Sequence, residues 1–181
     1  FDGPVDHMHA QGQLSDYVRE NYGTDNICVV SPDAGRVKVG EKWADALDGA
    51  PLAFVHKTRD PNVPNQVKSN RVVGDVEGRT CVLMDDMIDT GGTIAGAVKV
   101  LKDAGAGDVI IACTHGIFSD PAAERLASCG AKEVITTDTL PIPPEKRFDN
   151  LTVLSIAPLL ARTIHEVFEN GSVTSLFNGS A

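Results

Sequence analysis

Two adjacent carboxylates and a glycine-bearing loop are the residues of this sequence best suited to chemistry. Asp85 and Asp86 end an apolar run, Cys81–Met84, and the segment 89–93, Asp-Thr-Gly-Gly-Thr, follows closely. Glycines let a backbone approach a phosphate, and the N–H groups at the start of a helix bind anions. The carboxylates would then face sugar hydroxyls. This order of residues predicts a sugar-phosphate site.

Each part of this motif also has a purely structural interpretation. The glycine loop, taken alone, is equally compatible with an ordinary turn from strand to helix with Thr93 near the N-cap. The acidic pair is compatible with a solvated strand end. The Gly-Lys-Ser/Thr sequence of a P-loop is absent. Two carboxylates would repel a phosphate unless they bind hydroxyls or Mg²⁺, and ribose offers two cis hydroxyls that suit such a pair.

Three further candidates also follow apolar runs. Asp33 could coordinate Mg²⁺, an ion that prefers oxygen ligands, although a turn is the alternative. Lys57 and Arg59 open a polar segment and could neutralise a polyphosphate in a transition state; the alternative is a pair of solvated loop cations.

The sequence around these residues predicts strands that alternate with helices. Near-continuous apolar runs favour strands covered on both faces, and their alternation with helical patterns predicts an α/β fold with a mostly parallel sheet. Because ligands bind at the carboxyl ends of such strands, the candidates are expected to converge there. The predicted strands are Ile27–Ser31, Leu52–His56, Cys81–Asp85, Val109–Thr114, Glu133–Thr136 and Leu151–Ser155.

Helix signals lie between these runs. Apolar residues at helical spacing predict helices over Thr93–Lys102 and Ala157–Glu169, and a further helix is predicted over Gln13–Asn21, ending at Gly23. Asp120-Pro121 predicts an N-cap and first helical residue, with Gly130 ending that helix. The polar segment Lys57–Asn70 is predicted to be a mobile loop, and Arg71–Arg79 an edge strand or hairpin.

Composition narrows the class of protein. The chain has 181 residues and a net charge of −9, the opposite of what duplex-binding domains show. No apolar run approaches the roughly 20 residues of a membrane span, and no signal peptide is recognisable. Four cysteines without a C-x-x-C pair argue against a zinc site or a disulfide framework. A cytoplasmic location and no nucleic-acid or membrane partner are expected.

Together these segments resemble the ribose-phosphate pyrophosphokinase family, also called phosphoribosyl pyrophosphate synthetases. The sugar-phosphate loop alone is shared with phosphoribosyltransferases, whereas the ensemble is specific to the synthetases. The resemblance implies a type I phosphoribosyltransferase-like sheet, and it places the chain in the C-terminal half of the family's two-domain architecture. Residues 1–12 would be a linker and residues 13–181 the domain. The segments that carry the resemblance are 29–35, 56–59, 73–76, 85–93, 114–118, 137–141 and 172–177.

The reaction that the resemblance implies moves the diphosphoryl group of ATP to O1 of ribose 5-phosphate, giving phosphoribosyl diphosphate and AMP for nucleotide biosynthesis. Asp33 would help to hold Mg²⁺, and Lys57 and Arg59 would be catalytic. Phosphate or ADP would bind a regulatory region, and the full-length protein would form a dimer-based hexamer. The implied ribose 5-phosphate ligands are Asp85, Asp86, Asp89, Thr90, Gly91, Gly92 and Thr93; the implied regulatory residues are Ser172, Thr174, Phe177 and Asp6.

Departures from the family pattern keep alternatives open. Arg36 stands where a second Gly is usual, and His7 replaces a common Asn of the regulatory region. The chain is expected to be inactive without the other domain. A stand-alone phosphoribosyltransferase would use the same loop but needs a base-binding hood, for which no segment stands out. A non-catalytic regulatory subunit should have a degraded acidic pair, and here the pair is intact.

Overall fold

The sheet is built from buried β-branched strands, as the apolar runs predict. The computed structural model describes residues 2–3, 5–59 and 67–177. Its strands are β1 Ile27–Ser31, β2 Leu52–Arg59, β3 Val67–Val73, β4 Thr80–Ile88, β5 Val109–Gly116, β6 Glu133–Thr137 and β7 Leu151–Leu154. Its helices are α1 Gln11–Tyr22, α2 Val37–Ala46, α3 Gly92–Asp103, α4 Ala122–Ser128 and α5 Ala157–Phe168, with 3₁₀ turns at Ala34–Arg36, Pro144–Lys146 and Val173–Phe177.

These strands form one sheet in the order β3-β2-β1-β4-β5-β6-β7. The β2–β3 pair is antiparallel and every other pair is parallel, which confirms the predicted α/β class. From β1 the chain moves to β2 on one side, and later returns to β4 on the other side. The gap between the ends of β1 and β4 is therefore the switch point at which such sheets bind ligands.

Hydrophobic layers cover both faces of the sheet. On one face Cys28, Leu83 and Ile111 pack with α3 residues that follow the predicted helical spacing, such as Ile94 and Val98. The other face packs against α1 and α2, where Leu14, Val18, Trp43 and Leu47 meet alternate residues of the same strands. This double burial explains why β1 is buried at every position and reads as a continuous apolar run.

Several predicted boundaries are wrong for identifiable reasons. Helix α2 was not predicted, because its buried face includes a glycine, Gly40, together with Trp43 and Ala44. The predicted loop Lys57–Asn70 is partly strand, since β2 continues to Arg59 and pairs with β3; residues 60–66 lie outside the described residues. Helix α4 begins one residue later than predicted: Pro121 is its N-cap, and Asp120 makes no capping bond.

Candidate functional site

The acidic pair lies inside a strand rather than at its end. Strand β4 continues past Asp85 to Ile88, because β5 pairs with it over this stretch, Met87 with His115 and Ile88 with Gly116. The Asp85 side chain is only 13% exposed, whereas that of Asp86 is 47% exposed. Both carboxylates nevertheless reach the same neighbour across the switch point.

That neighbour is Arg36, which ends the 3₁₀ turn after β1. Its Nε lies 3.2 Å from Oδ1 of Asp85, and its Nη2 lies 2.8 Å from Oδ1 of Asp86. Backbone donors reach the same two oxygens: the Asp86 N–H donates to Asp85 at 2.9 Å and the Met87 N–H to Asp86 at 2.7 Å. These four contacts all end on Oδ1 atoms and leave the Oδ2 atom of each carboxylate unused, although the two side chains also interact with each other.

The two carboxyls differ in acidity because they differ in burial. Burial raises the pKa of Asp85 to about 6, with the neighbouring Asp86 charge adding to it, and the Asp86 N–H and Arg36 only partly offset this. Burial is also the largest single influence on Asp86, but the hydrogen bonds from Arg36, Asp85 and the Met87 N–H, together with the Arg36 charge, outweigh it, and the pKa of Asp86 is lowered. Burial opposes the charge of Arg36 as well, yet Asp85, Asp86 and Asp33 raise the pKa of its guanidinium.

The glycine loop joins β4 to the start of α3. Gly91 is the N-cap with φ 71°, a left-handed conformation that favours glycine, and no side chain caps the helix. The N–H groups of the first turn are thus not satisfied by a capping side chain and can face an anion. Asp89, Thr90, Gly92 and Thr93 are exposed around this helix start.

Helix α4 supports this loop from behind. Arg125 Nη1 donates to the Thr90 carbonyl at 2.9 Å. A Cβ on Gly91 would meet Ala122 and Leu126 at 3.5–3.6 Å, so the loop packs directly on α4. The contact fixes the path of the loop and places a guanidinium beside it. Neither Arg125 nor Arg36 was assigned a role from the sequence; the only signal for Arg36 was its departure from the family's glycine.

Asp33 lies at the carboxyl end of β1. Its Oδ1 accepts the Gly35 N–H at 2.8 Å and so caps the turn that carries Arg36. Within the described ranges no group of three or more metal-binding side chains occurs. Mg²⁺ commonly uses one or two carboxylates with substrate phosphates and water, so Asp33 fits an ion whose other ligands come from substrate.

The remaining predicted site residues lie on other elements of the fold. Lys57 and Arg59 lie in β2, and their side chains fall outside the described part of the structure. Phe177 packs against the His9 ring at a centroid distance of 5.7 Å, beside a cavity of about 590 Å³ between α1 and α5. Ser172, Thr174 and Asp6 are not among the residues that line this cavity.

Comparison with known proteins identifies the family. The profile of the "Phosphoribosyl synthetase-associated domain" family matches residues 26–178. This chain belongs to that family. It is 74% identical to the ribose-phosphate pyrophosphokinases of Mycobacterium tuberculosis and Corynebacterium glutamicum; the matches cover all of this chain and 56% and 55% of those proteins. The chain therefore spans about half the length of the curated relatives it matches.

Solved structures agree with this assignment. A crystal structure of phosphoribosylpyrophosphate synthetase from Mycobacterium smegmatis matches with a TM-score of 0.86 and 67% identity, covering 94% of this chain and 54% of that one. Orotate phosphoribosyltransferase from Aeropyrum pernix matches with a TM-score of 0.55 at 20% identity, over 84% of this chain and 73% of that one, which shows the fold alone. The predicted resemblance is confirmed, whereas the predicted placement in the C-terminal half is not.

None of the helices in the described ranges is long and apolar enough to cross a membrane.

Proposed function

We propose that this chain supplies the ribose 5-phosphate side of a ribose-phosphate pyrophosphokinase. The whole enzyme would transfer the diphosphoryl group of ATP to O1 of ribose 5-phosphate, releasing AMP. One observation carries the proposal: at the switch point of the sheet, an acidic pair with free oxygens precedes an uncapped helix start on the same strand–loop–helix unit. The 74% identity to named pyrophosphokinases supports the reaction class.

Each half of the motif would bind one half of the sugar phosphate. The exposed loop 89–93 and the first turn of α3 would hold the 5-phosphate through backbone N–H groups and the hydroxyls of Thr90 and Thr93. The free Oδ2 atoms of Asp85 and Asp86 would accept hydrogen bonds from the ribose hydroxyls. Held at both ends, the sugar would present O1 in a fixed direction, which accelerates a transfer that depends mainly on positioning.

Charge neutralisation would come from groups around this subsite. Mg²⁺ bound at Asp33 would offset negative charge on the diphosphoryl group of ATP. Lys57 and Arg59 would approach the same group from the end of β2. Regulation by phosphate or ADP at Ser172, Thr174, Phe177 and Asp6, assembly into oligomers and a cytoplasmic location belong to the same proposal for the full-length protein.

Calorimetric titration of this chain with ribose 5-phosphate tests the assignment. We expect Asp85→Ala to weaken binding of ribose 5-phosphate by about tenfold, the usual effect of a charged hydrogen-bond acceptor, while binding of inorganic phosphate changes little. Asp103→Ala is the matched control, because Asp103 pairs with Lys99 on the exposed face of α3, away from the acidic pair. Absence of binding by the unmodified chain, or equal affinities for Asp85→Ala and Asp103→Ala, would contradict the proposal.

A further inference from the structure

A single cation bridges the acidic pair. Arg36 lies after β1 and the two carboxylates lie on β4, so the bridge crosses the switch point between adjacent strands. Its Nε contacts Asp85 and its Nη2 contacts Asp86, so two nitrogens of one planar guanidinium hold the two carboxylates; a lysine ammonium has only one nitrogen and no planar fork. The Arg36 side chain is 35% exposed, so water screens this pairing only in part.

The bridge leaves the pair competent to bind a sugar. Arg36 and the two backbone N–H groups use Oδ1 of each carboxylate, and Oδ2 is free of these contacts on both. One acceptor oxygen on each carboxylate suits the two donors of a cis diol. Arg36 therefore has no need to leave for hydroxyls to bind, and it fixes the direction in which both acceptors point.

The charge balance shows why such a bridge matters. Two ionised carboxylates side by side repel each other and repel an anionic ligand that binds a few residues away. One guanidinium reduces the charge of the pair from −2 to −1 without blocking its free oxygens. Asp33 also faces Arg36 and raises its pKa, but no ion pair joins Asp33 and Arg36 among the described residues.

We propose that Arg36 is a positioning residue that replaces a divalent cation at the acidic pair. Ribose hydroxyls would then bind Asp85 and Asp86 directly, without a metal ion between them, and the divalent ion of the reaction would be confined to Asp33. This inference rests on the proposed ribose 5-phosphate function and specifies how that site treats metal. It predicts sugar binding that is largely independent of Mg²⁺ in this chain.

The test compares Arg36→Met with the unmodified chain in EDTA and in millimolar Mg²⁺. Methionine keeps an unbranched apolar stem and removes the charge. We expect Arg36→Met to bind ribose 5-phosphate about tenfold more weakly in EDTA, with Mg²⁺ restoring most of the loss, because the ion takes over the role of the guanidinium. Arg36→Lys should recover part of the affinity in EDTA, since an ammonium supplies the charge but not the fork.

A direct probe of the vacated pair uses Mn²⁺ without sugar, followed by electron paramagnetic resonance. Arg36→Met should bind Mn²⁺ about tenfold more tightly than the unmodified chain, because two carboxylates then lack their cation. Arg79→Met is the matched control: Arg79 pairs with Asp75 at the opposite end of the sheet, 3.1 Å apart, and its loss should leave both readouts unchanged.

The outcomes separate this inference from the proposed function. If the unmodified chain does not bind ribose 5-phosphate at all, the function itself is wrong. If it binds, but Arg36→Met loses the same affinity with and without Mg²⁺, or loses none, the proposed role of Arg36 is overturned. A fall in melting temperature without any change in the Mg²⁺ dependence would assign Arg36 a structural role only.

Discussion

Neighbouring residues of one strand can have opposite electrostatic roles. Asp85 is the more buried carboxyl and carries a raised pKa of about 6, whereas Asp86 is half exposed and has a lowered pKa. The chemistry of the side chains is identical, so the difference comes from burial and from how each oxygen meets Arg36. Asp85 is therefore costly to ionise and Asp86 is stabilised when ionised.

This difference predicts opposite stability changes for two isosteric variants at pH 7. The folded state keeps the Asp85 proton up to about pH 6, so ionising Asp85 lowers stability as pH rises from about 4 to 6; Asp85→Asn should remove that loss and stabilise the chain by about 1–3 kcal/mol. The lowered pKa of Asp86 means that its ionised form stabilises the fold above about pH 4, so Asp86→Asn should destabilise it.

Urea unfolding at several pH values measures both effects. The Asp85→Asn difference should shrink as pH falls from about 6 to 4, because Asp85 then becomes protonated in the folded state. The Asp86→Asn difference should shrink only as pH falls below about 4, through the lowered pKa of the folded state. Equal signs for the two variants at pH 7 would show that the burial of Asp85 does not set its acidity.

At the scale of elements, the β2–β3 hairpin is the largest departure from the sequence-based prediction. Polar residues and two prolines in Lys57–Asn70 indicated a loop, but backbone pairing extends β2 to Arg59 and begins β3 at Val67. The hairpin is anchored at its base by Gly74, whose backbone approaches Ala53. A Cβ at Gly74 would lie 2.6 Å from the Cβ and 2.9 Å from the Cα of Ala53, at φ 118°.

Gly74→Ala should therefore destabilise the chain strongly. The new methyl meets backbone that cannot move aside, and the positive φ adds strain, so we expect a loss of about 3 kcal/mol or more. Gly78→Ala is the matched control, because Gly78 has φ 68° but open space around its Cβ position; strain alone should cost about 1 kcal/mol. Chemical denaturation of both variants measures the difference, and similar losses would rule out the close approach to Ala53.

For the molecule as a whole, the described structure offers a candidate site for one substrate of the proposed reaction. The switch point holds groups suited to a sugar phosphate, and no described cluster of three or more metal-binding side chains accompanies them. The chain also spans only about half the length of its pyrophosphokinase relatives, 56% in the Mycobacterium tuberculosis protein. A transfer between two substrates that depends on their relative position needs protein groups that hold each of them.

This chain by itself should therefore bind ribose 5-phosphate without forming AMP from ATP. The measurement is AMP and phosphoribosyl diphosphate formation by chromatography, with Mg²⁺, ATP and ribose 5-phosphate present. A polypeptide of the full length of its relatives that contains this chain is the positive control and should be active. Coupled formation of both products by this chain alone would refute the expectation that it holds only half of the active site.

Local sequence determined most of the sheet and the core of the site. Apolar runs, glycines and an acidic pair are local signals, because strand burial and helix-start geometry depend on neighbours in the chain; they located β1, β4, α3 and the loop between them. The sequence also carried the family resemblance, through the order of its motifs.

Only the tertiary structure decided which residues from different elements meet. Arg36 follows β1, yet it neutralises a pair on β4, and Arg125 of α4 holds the loop before α3. Spacing along the chain carries no information about such contacts, because the sheet order places β4 beside β1 after the chain has crossed to β2 and β3. The acidity of Asp85 was likewise undecided, since burial depends on everything packed around a side chain. Sequence determined the parts of the proposed sugar-phosphate site, and long-range packing determined the acidity of its carboxyls and the contacts that orient them.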